Sequence, residues 1–512
     1  MILITSGAYV RAALVAEFGL LPPAFLPVQS QRLFAHQLRL FPEGEKIFLS
    51  CPKSFEPSVY DLEALKDKAE IIKVPDRLTL GQSIIYCLNM ASRYGEPLYI
   101  LHGDTLFDAV EMKPDVYAVA HPQDDYAWAG TDDADDTIYA GFFSFSSQEQ
   151  FIKSLTENNY DFIKGIEDYR RHIPVEEIMF PSWKDFGLIN SFYRSVSDMT
   201  TERAFNSLKA TKYSITKYSR DSKKILAEAH WFEALPKSLR HFAPTVWDSG
   251  IDGDRGFYQI PYYYLSSLAN LWVFGRNSFQ TWKSILASCV DFVNQTASHK
   301  PADLARTVTS NNILFGEKTR SRLVKYCVDA GVDMDRPWSV NGIAVPSLNA
   351  ILSDLDDSIT LNAERFAAVM HGDFCFSNIL YDFKSKSIRV IDPRGCDPEG
   401  NESIYGDIRY DVAKLAHSVL GMYDYIIGGH YSLDKVGENG FNLTFPETDE
   451  ILAVQQHFEQ TLFAGYDITE LETYPIMISL FLSMLPLHSD RPDRQQAMLA
   501  NALRLYAKFK TR

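Results

Sequence analysis

The sequence predicts an α/β chain of two domains. A covered, mostly parallel sheet is expected over residues 1–200, and a second, α+β domain over 201–512 that turns helical beyond 266. Three observations predict it. Short apolar runs alternate with helical periodicity through the first part of the chain, which is the pattern of a parallel sheet with helices on its faces. Beyond residue 266 the periodicity turns helical. A chain of 512 residues also exceeds what one core usually holds, and its 46% hydrophobic and 13% aromatic content supplies more than one.

The chain opens on the strand-like Ile2-Leu3-Ile4, then Thr5-Ser6-Gly7, then a helical pattern through Phe18. Such a turn aims a helix N-terminus at a phosphate, though a plain helix cap reads the same way. A helix around 33–40, strands at 46–49 and 71–74 and a helix at 81–94 follow. The strand 97–101 ends at His102-Gly103-Asp104. An acid at the carboxyl end of such a strand sits where open α/β sheets bind ligands, so Asp104 is a candidate metal ligand. Asp185, in the turn Trp183-Lys184-Asp185-Phe186-Gly187, is a second. The acidic run 132–136 contains a D-x-D, but no apolar strand leads into it and it reads as a solvated loop.

These motifs resemble the sugar-nucleotidyltransferase family over about 1–200. That family places one Asp after its central strand and another in a W-x-D-x-G turn, and opens with G-x-G-x-R and P-K-x-L-x-P-V. The resemblance implies a Rossmann-like (GT-A) domain with Asp104 and Asp185 holding Mg²⁺, and Gly7, Arg11 and Gly81 at the nucleotide. Two departures stand out: Tyr9 replaces the second glycine, which hinders close backbone approach to a triphosphate, and Pro23 replaces the lysine. Tyr139-Ala140-Gly141-Phe142-Phe143 is similar to the glycine-containing strand that borders the acceptor.

The polar stretch 191–212 carries no Pro/Gly linker and predicts a close-packed junction. After it, 213–218 reads as a strand carrying Lys217, and 222–235 as a helix carrying Glu228 and Glu233. The stretch MHGDFCFSNILYDFKSKSIRVIDPRG, residues 370–395, reads as an apolar approach, a polar loop, a β-hairpin and a second acidic loop. Asp373 and Asn378 are five apart, and Asp392 follows the hairpin. One carboxylate, one amide and one further carboxylate are what a metal-dependent phosphoryl transfer needs: the first orients an acceptor hydroxyl, and the others hold Mg²⁺ on nucleotide phosphates. The alternative is that HGD is a turn and Asp392 a strand-end cap.

The spacing matches the kinase catalytic loop H-R-D-x-x-x-x-N with Asp392 in the DFG position. The stretch resembles the aminoglycoside phosphotransferase and choline kinase families, whose loop is H-G-D-x-x-x-x-N. The resemblance implies a bilobal protein-kinase-like α+β fold over 201–512, with a small lobe at 201–265 and a helical lobe at 266–512, Asp373 as base, Asn378 and Asp392 as Mg²⁺ ligands, and Lys217 paired with Glu228 at the ATP phosphates. No glycine-rich loop precedes Lys217, and Ser207 is the candidate to cover the phosphates. Arg394 is placed to meet a phosphate or an acceptor anion. Asp411, in Tyr405-Gly406-Asp407-Ile408-Arg409-Tyr410-Asp411-Val412-Ala413, is expected to open a helix and brace the loop, or to serve as its N-terminal cap.

A net charge of −16 argues against nucleic-acid partners, and the longest late apolar run, 476–487, is too short to span a bilayer. The six cysteines show no C-x-x-C pair, which predicts a reducing, cytoplasmic setting and no zinc. The expected partners are therefore small molecules, with oligomeric state left open. ATP and Mg²⁺ are the expected cofactors, with a second nucleoside triphosphate, CTP among the candidates, for the first domain. The order of the domains is similar to fused bacterial proteins of capsule and surface-polysaccharide biosynthesis. It implies a bifunctional enzyme whose kinase product is nucleotidylated, or else an active kinase beside a nucleotide-binding module.

Overall fold

Alternation of apolar strands and amphipathic helices at the N-terminus builds a seven-stranded sheet. The computed structural model describes residues 1–122, 137–180, 182–199 and 206–512, with the backbone alone at 206 and 207. The acidic run 132–136 lies outside the described residues. The chain forms two compact units: Met1–Met199 with Phe274–Asn277, and the described residues up to Val273 with Ser278–Arg512.

In the first unit the strands are β1 (Ile2–Thr5), β2 (Ile47–Pro52), β3 (Ala69–Val74), β4 (Leu98–His102), β6 (Val116–Ala120), β7 (Ile138–Phe145) and β8 (Glu176–Met179), in the order β8-β6-β7-β4-β1-β2-β3. Strands β4, β1, β2 and β3 run parallel, and β8 runs parallel to β6. Strand β7 is antiparallel to both β4 and β6, so it is a reversed strand set third from one edge of the sheet. β1, β2 and β7 are buried along their whole length, as strands covered on both faces must be. Helices α1 (Ala12–Phe18) and α2 (Leu80–Ala91) belong to the parallel half. A two-stranded ribbon, β5 (Thr105–Leu106) against β9 (Lys184–Asp185), sits at the carboxyl end of β4.

The second unit begins with a four-stranded antiparallel sheet of β10 (Asn206–Ala210), β11 (Ser214–Ser219), β12 (Asp248–Asp252) and β13 (Arg255–Pro261), in the order β10-β11-β13-β12. Helix α3 (Ser222–Ala234), capped by Asp221, packs on it. The helical part includes α4 (Phe279–Ala297), α5 (Leu304–Phe315) and α6 (Glu317–Ala330). Strand β14 (Ala367–Val369) leads into the hairpin β15 (Ile379–Asp382) and β16 (Ser387–Val390). Strand β17 (Tyr405–Asp407) pairs antiparallel with β14 and feeds helix α7 (Ile408–Val419). Helices Asp449–Glu459, Thr473–Met484 and Pro492–Lys510 close the chain, in keeping with the helical periodicity beyond residue 266.

The helical lobe also carries a four-stranded sheet that periodicity did not predict. Its strands are Trp338–Val340, Ile343–Val345, Ser432–Lys435 and Gly440–Thr444. Each is short, and the pairing of Val340 with Phe441 joins segments far apart in sequence. Period-two alternation needs longer runs to be read.

Candidate active site

Four separate segments of the second unit converge at the residues 370–395. The loop after β14 is held from behind by α7: Asp411 accepts the backbone N–H of His371 at 2.7 Å and that of Gly372 at 2.8 Å. Asp411 is thus a brace from within the first turn of α7. It is not the cap; Asp407 fills that position, accepting the Arg409 N–H. Burial drives the Asp411 carboxyl up to about 7, against the two N–H bonds that favour its charge.

His371 is fully buried, and burial pushes its imidazole down to about 4, so it is neutral. The Asp373 N–H reaches Nδ1 at 3.3 Å, which places the proton on Nε2, and Nε2 donates to the Ile391 carbonyl at 3.0 Å. The ring therefore ties the Asp373 loop to the strand end before Asp392. Gly372 lies at φ +80°, and a Cβ there would stand 2.6 Å from the Arg394 Cβ. Only glycine permits both the turn and that approach.

The two carboxylate oxygens of Asp373 face different partners. Oδ2 accepts from Asn378 Nδ2 at 3.0 Å, and Oδ1 meets the Lys414 ammonium at 2.9 Å. The walls of the recess on their own would raise this carboxyl, but Lys414 above all brings it down to about 2. Asn378 Nδ2 also donates to the Asp373 carbonyl at 3.0 Å, so the amide oxygen is turned the other way. The Ile391 N–H donates to the Asn378 carbonyl at 3.0 Å, which brings Asn378 alongside Asp392.

Asp392 sits in the left-handed region at φ +57°, a conformation Asp tolerates better than most residues. Its Oδ1 meets Lys217 Nζ at 3.0 Å and Tyr258 Oη at 3.5 Å, while Oδ2 has no partner among the described residues. Lys217, on the central strand β11, is buried, and its Nζ lies 2.7 Å from Glu228 Oε2 on α3. Burial opposes the ammonium, but Asp392 and Glu228 hold it charged, above the usual lysine range. Glu228 is the buried partner of the two acids considered; Glu233 is exposed. Gly395, at φ +68°, presses against α3: a Cβ would fall 2.0 Å from the Ala227 carbonyl oxygen. That contact couples the Asp392 loop to the helix that carries Glu228.

Ser207 lies on β10 opposite Tyr218, one position from Leu208, which faces Lys217. Its side chain is outside the described part of the chain. The Arg394 guanidinium carbon lies 4.5 Å from the centre of the Tyr410 ring, and Nη1 is buried without a hydrogen-bond partner among the described residues.

In the first unit, Asp104 follows β4 and Asp185 ends β9, and the β5–β9 pairing places Asp185 opposite Thr105. The two carboxylates converge at Gly187, whose Cβ, if present, would lie 2.6 Å from Asp104 Oδ2 and 3.2 Å from Asp185 Oδ1. Burial raises the Asp104 carboxyl, and Arg11, the exposed residue before α1, draws it back. Asp185 is oriented by the Gly187 N–H at 2.9 Å and by the Ser191 hydroxyl. Gly7 lies over the ends of β2 and β3, where a Cβ would meet Ser83 Oγ at 2.7 Å. Gly81 is different. It is helical, and the Tyr160 carbonyl oxygen would stand 2.3 Å from its Cβ, so this glycine has a packing reason. Tyr9 bonds Ser54 at 2.9 Å, and Pro23 opens a 3₁₀ turn.

Among the described residues no group of three or more His, Cys, Asp or Glu is arranged around a metal. The donor sets at Asn378 and Asp392, and at Asp104 and Asp185, nevertheless fit a hard divalent cation such as Mg²⁺. That ion uses one or two carboxylates and takes its remaining ligands from phosphates and water. The six cysteines are free thiols.

Sequence reading missed two members of the constellation. Lys414 stands one helical turn after Asp411, and that spacing was the available signal. Tyr258 enters only through its register opposite Lys217, which no local pattern discloses.

No protein-family model matches the sequence, and no curated protein sequence is significantly similar to it. Among solved structures, the chain is similar to a thermostable aminoglycoside phosphotransferase with ADP and hygromycin B bound, at TM-score 0.39 and 12% identity over 60% of this chain and 92% of that one. A type VIII aminoglycoside-3'-phosphotransferase follows at TM-score 0.32 and 14% identity, over 55% and 91%. A putative glucose-1-phosphate thymidylyltransferase from Bacillus anthracis, in complex with sucrose, reaches TM-score 0.31 and 11% identity over 40% of this chain and 97% of that one. Likenesses this slight carry no argument for activity. The geometry of the loops does.

Proposed function

We propose that residues 201–512 transfer the γ-phosphoryl group of ATP to the hydroxyl of a small molecule. What supports the reading is one observation: Lys217 Nζ bridges Glu228 and Asp392, while Asp373 and Asn378 stand on the loop hydrogen-bonded to the same strand end. Lys217, fixed by Glu228, would position the α- and β-phosphates, and Asp373 would orient the acceptor hydroxyl. Asn378 and Asp392 would hold Mg²⁺, which when bound neutralises charge on the phosphates. Ser207 remains the residue proposed to cover them.

Residues 1–200 are proposed to form a Rossmann-like, GT-A-type domain that transfers a nucleotidyl group to the resulting phosphomonoester. Asp104 and Asp185 would hold Mg²⁺ there, with Gly7 and Arg11 at the triphosphate. The strand order, with one antiparallel strand beside the parallel set, and the meeting of the two acids at Gly187 support it. The product would be an activated precursor for a surface polysaccharide, made in the cytoplasm. A second reading, a nucleotide-binding module without turnover, is favoured by Tyr9, Pro23 and the occupied space at Gly81.

The test is turnover of the purified protein on a metabolite mixture with ATP and CTP, GTP or UTP, read by mass spectrometry, with Asp373→Asn and Asp104→Asn alongside. Phosphomonoesters that persist in Asp373→Asn would sink the kinase assignment. Pyrophosphate release that survives Asp104→Asn would sink the transferase. Phosphorylation with no nucleotidyl product under any triphosphate selects the module.

A further inference from the structure

Several cations gather near Asp373, although the chain as a whole carries −16. Asp373 presents Oδ2 to Asn378 and Oδ1 to Lys414, so the metal side and the lysine side of the carboxylate are distinct. Near it, cations from three elements lie close enough to repel one another: Lys414 on α7, Lys318 and Arg322 on α6, and Arg394 from the second acidic loop. Lys318 makes no ion pair or hydrogen bond through its ammonium to the described residues. Among the described residues Arg322 donates only to the Ser483 carbonyl, at 3.5 Å. Arg394 Nη1 is buried with no hydrogen-bond partner among the described residues, the guanidinium carbon lies 4.5 Å from the centre of the Tyr410 ring, and the Arg394 Cβ is against Gly372.

The acids that face this group do not balance it. Asp373 is engaged by Lys414. Asp411 spends both oxygens on backbone N–H groups, and Asp424 acts on Lys414, which Asp373 already pairs. Burial and the repulsion of Arg394, Arg322 and Lys414 draw Lys318 down to about 8. Unpaired cations gathered beside a reactive carboxylate are costly unless an anion arrives to pair with them. Arg394 and Lys318 supply the planar fork and the point charge that carboxylates and phosphates accept.

We propose that the phosphoryl acceptor is itself an anion: a hydroxyl compound whose carboxylate or phosphate group docks on Lys318, Arg322 and Arg394. The inference rests on the kinase reading above and names its substrate class. With the anion seated there, the acceptor hydroxyl lies at Asp373. Its oxygen bonds to the γ-phosphorus of ATP, the bond from that phosphorus to the β–γ bridging oxygen breaks, ADP leaves, and the hydroxyl proton passes to the Asp373 carboxylate.

The test is ATP-dependent phosphorylation across matched sets: glycerol, glycerate, glycerol 3-phosphate and 3-amino-1,2-propanediol, then glucose, glucuronate, glucose 6-phosphate and glucosamine. Products are read by mass spectrometry and ATP affinity by calorimetry. Product from an anionic member is expected, and the carboxylate and phosphate arms tell which group docks. K318Q and R322Q should each lower kcat/KM for that acceptor about tenfold or more, with the KM for ATP unchanged. Turnover of neutral or amino members alone would overturn the anion assignment and leave the kinase standing. So would ATP binding with no anionic member phosphorylated, or a rise in the KM for ATP in K318Q with the acceptor KM unmoved. Absence of both ATP binding and turnover would remove the kinase reading, and this inference with it.

Discussion

Lys414 and Asp411 show how two residues one helical turn apart act on the same loop in different ways. The Lys414 ammonium, 2.9 Å from Asp373 Oδ1, is what holds that carboxyl at about 2 against the pull of its recess. A carboxyl held this low is ionised throughout the physiological range and contributes no acid limb there. Removing the cation by Lys414→Met takes away the largest influence that opposes burial, leaving the weaker pull of Arg394, so the Asp373 pKa must rise. The acid limb of kcat/KM is then expected to enter the measurable range above about pH 4, while Lys414→Arg restores the wild-type profile. Asp411 has a mechanical role. Asp411→Ala leaves the buried N–H groups of His371 and Gly372 without acceptors, and about 2–4 kcal/mol of unfolding free energy should be lost in urea titrations.

At the scale of elements, the site depends on how the Asp392 loop is pressed onto α3. Gly395 makes that contact, and its positive φ and the 2.0 Å approach of the Ala227 oxygen leave no space for a side chain. Gly395→Ala must either move α3 or move the loop. Both separate Lys217–Glu228 from Asp392. The expected outcome is a lower unfolding midpoint, by about 1–3 kcal/mol, together with a weakened affinity for ATP measured by calorimetry. Gly400→Ala is the matched control, since its nearest neighbour is the flexible end of Lys223 at 3.4 Å, although its φ of +83° also disfavours a side chain. A larger affinity loss at Gly395 than at Gly400 is the discriminating result.

For the whole molecule, both candidate metal positions offer only two protein ligands each, from loops already fixed by hydrogen bonds. A metal held that way takes part in chemistry without holding the fold. Chelation by EDTA should therefore abolish nucleotide turnover while leaving the far-ultraviolet circular dichroism unchanged. Added Mg²⁺ should restore activity, and Asp392→Ala should raise the Mg²⁺ concentration this requires. Loss of helical signal on chelation would contradict the picture.

What the sequence determined by itself was local. Strand–helix alternation is set by residues two to four apart, so the elements of the parallel half and the closing helices were legible. The five-residue gap from Asp373 to Asn378 and the hairpin before Asp392 are likewise contiguous, and the loop could be read whole. Tertiary structure decided everything that depends on pairing across long gaps. It placed Tyr258 beside Lys217, moved the cap of α7 from Asp411 to Asp407, and seated Gly81 against Tyr160. It also brought Lys318, Arg322, Arg394 and Lys414 within electrostatic reach of one another, with Lys414 on Asp373. Charge in a sequence is a sum, here −16. Which charges share a recess depends on the folding of segments nearly a hundred residues apart, and the substrate meets that local field.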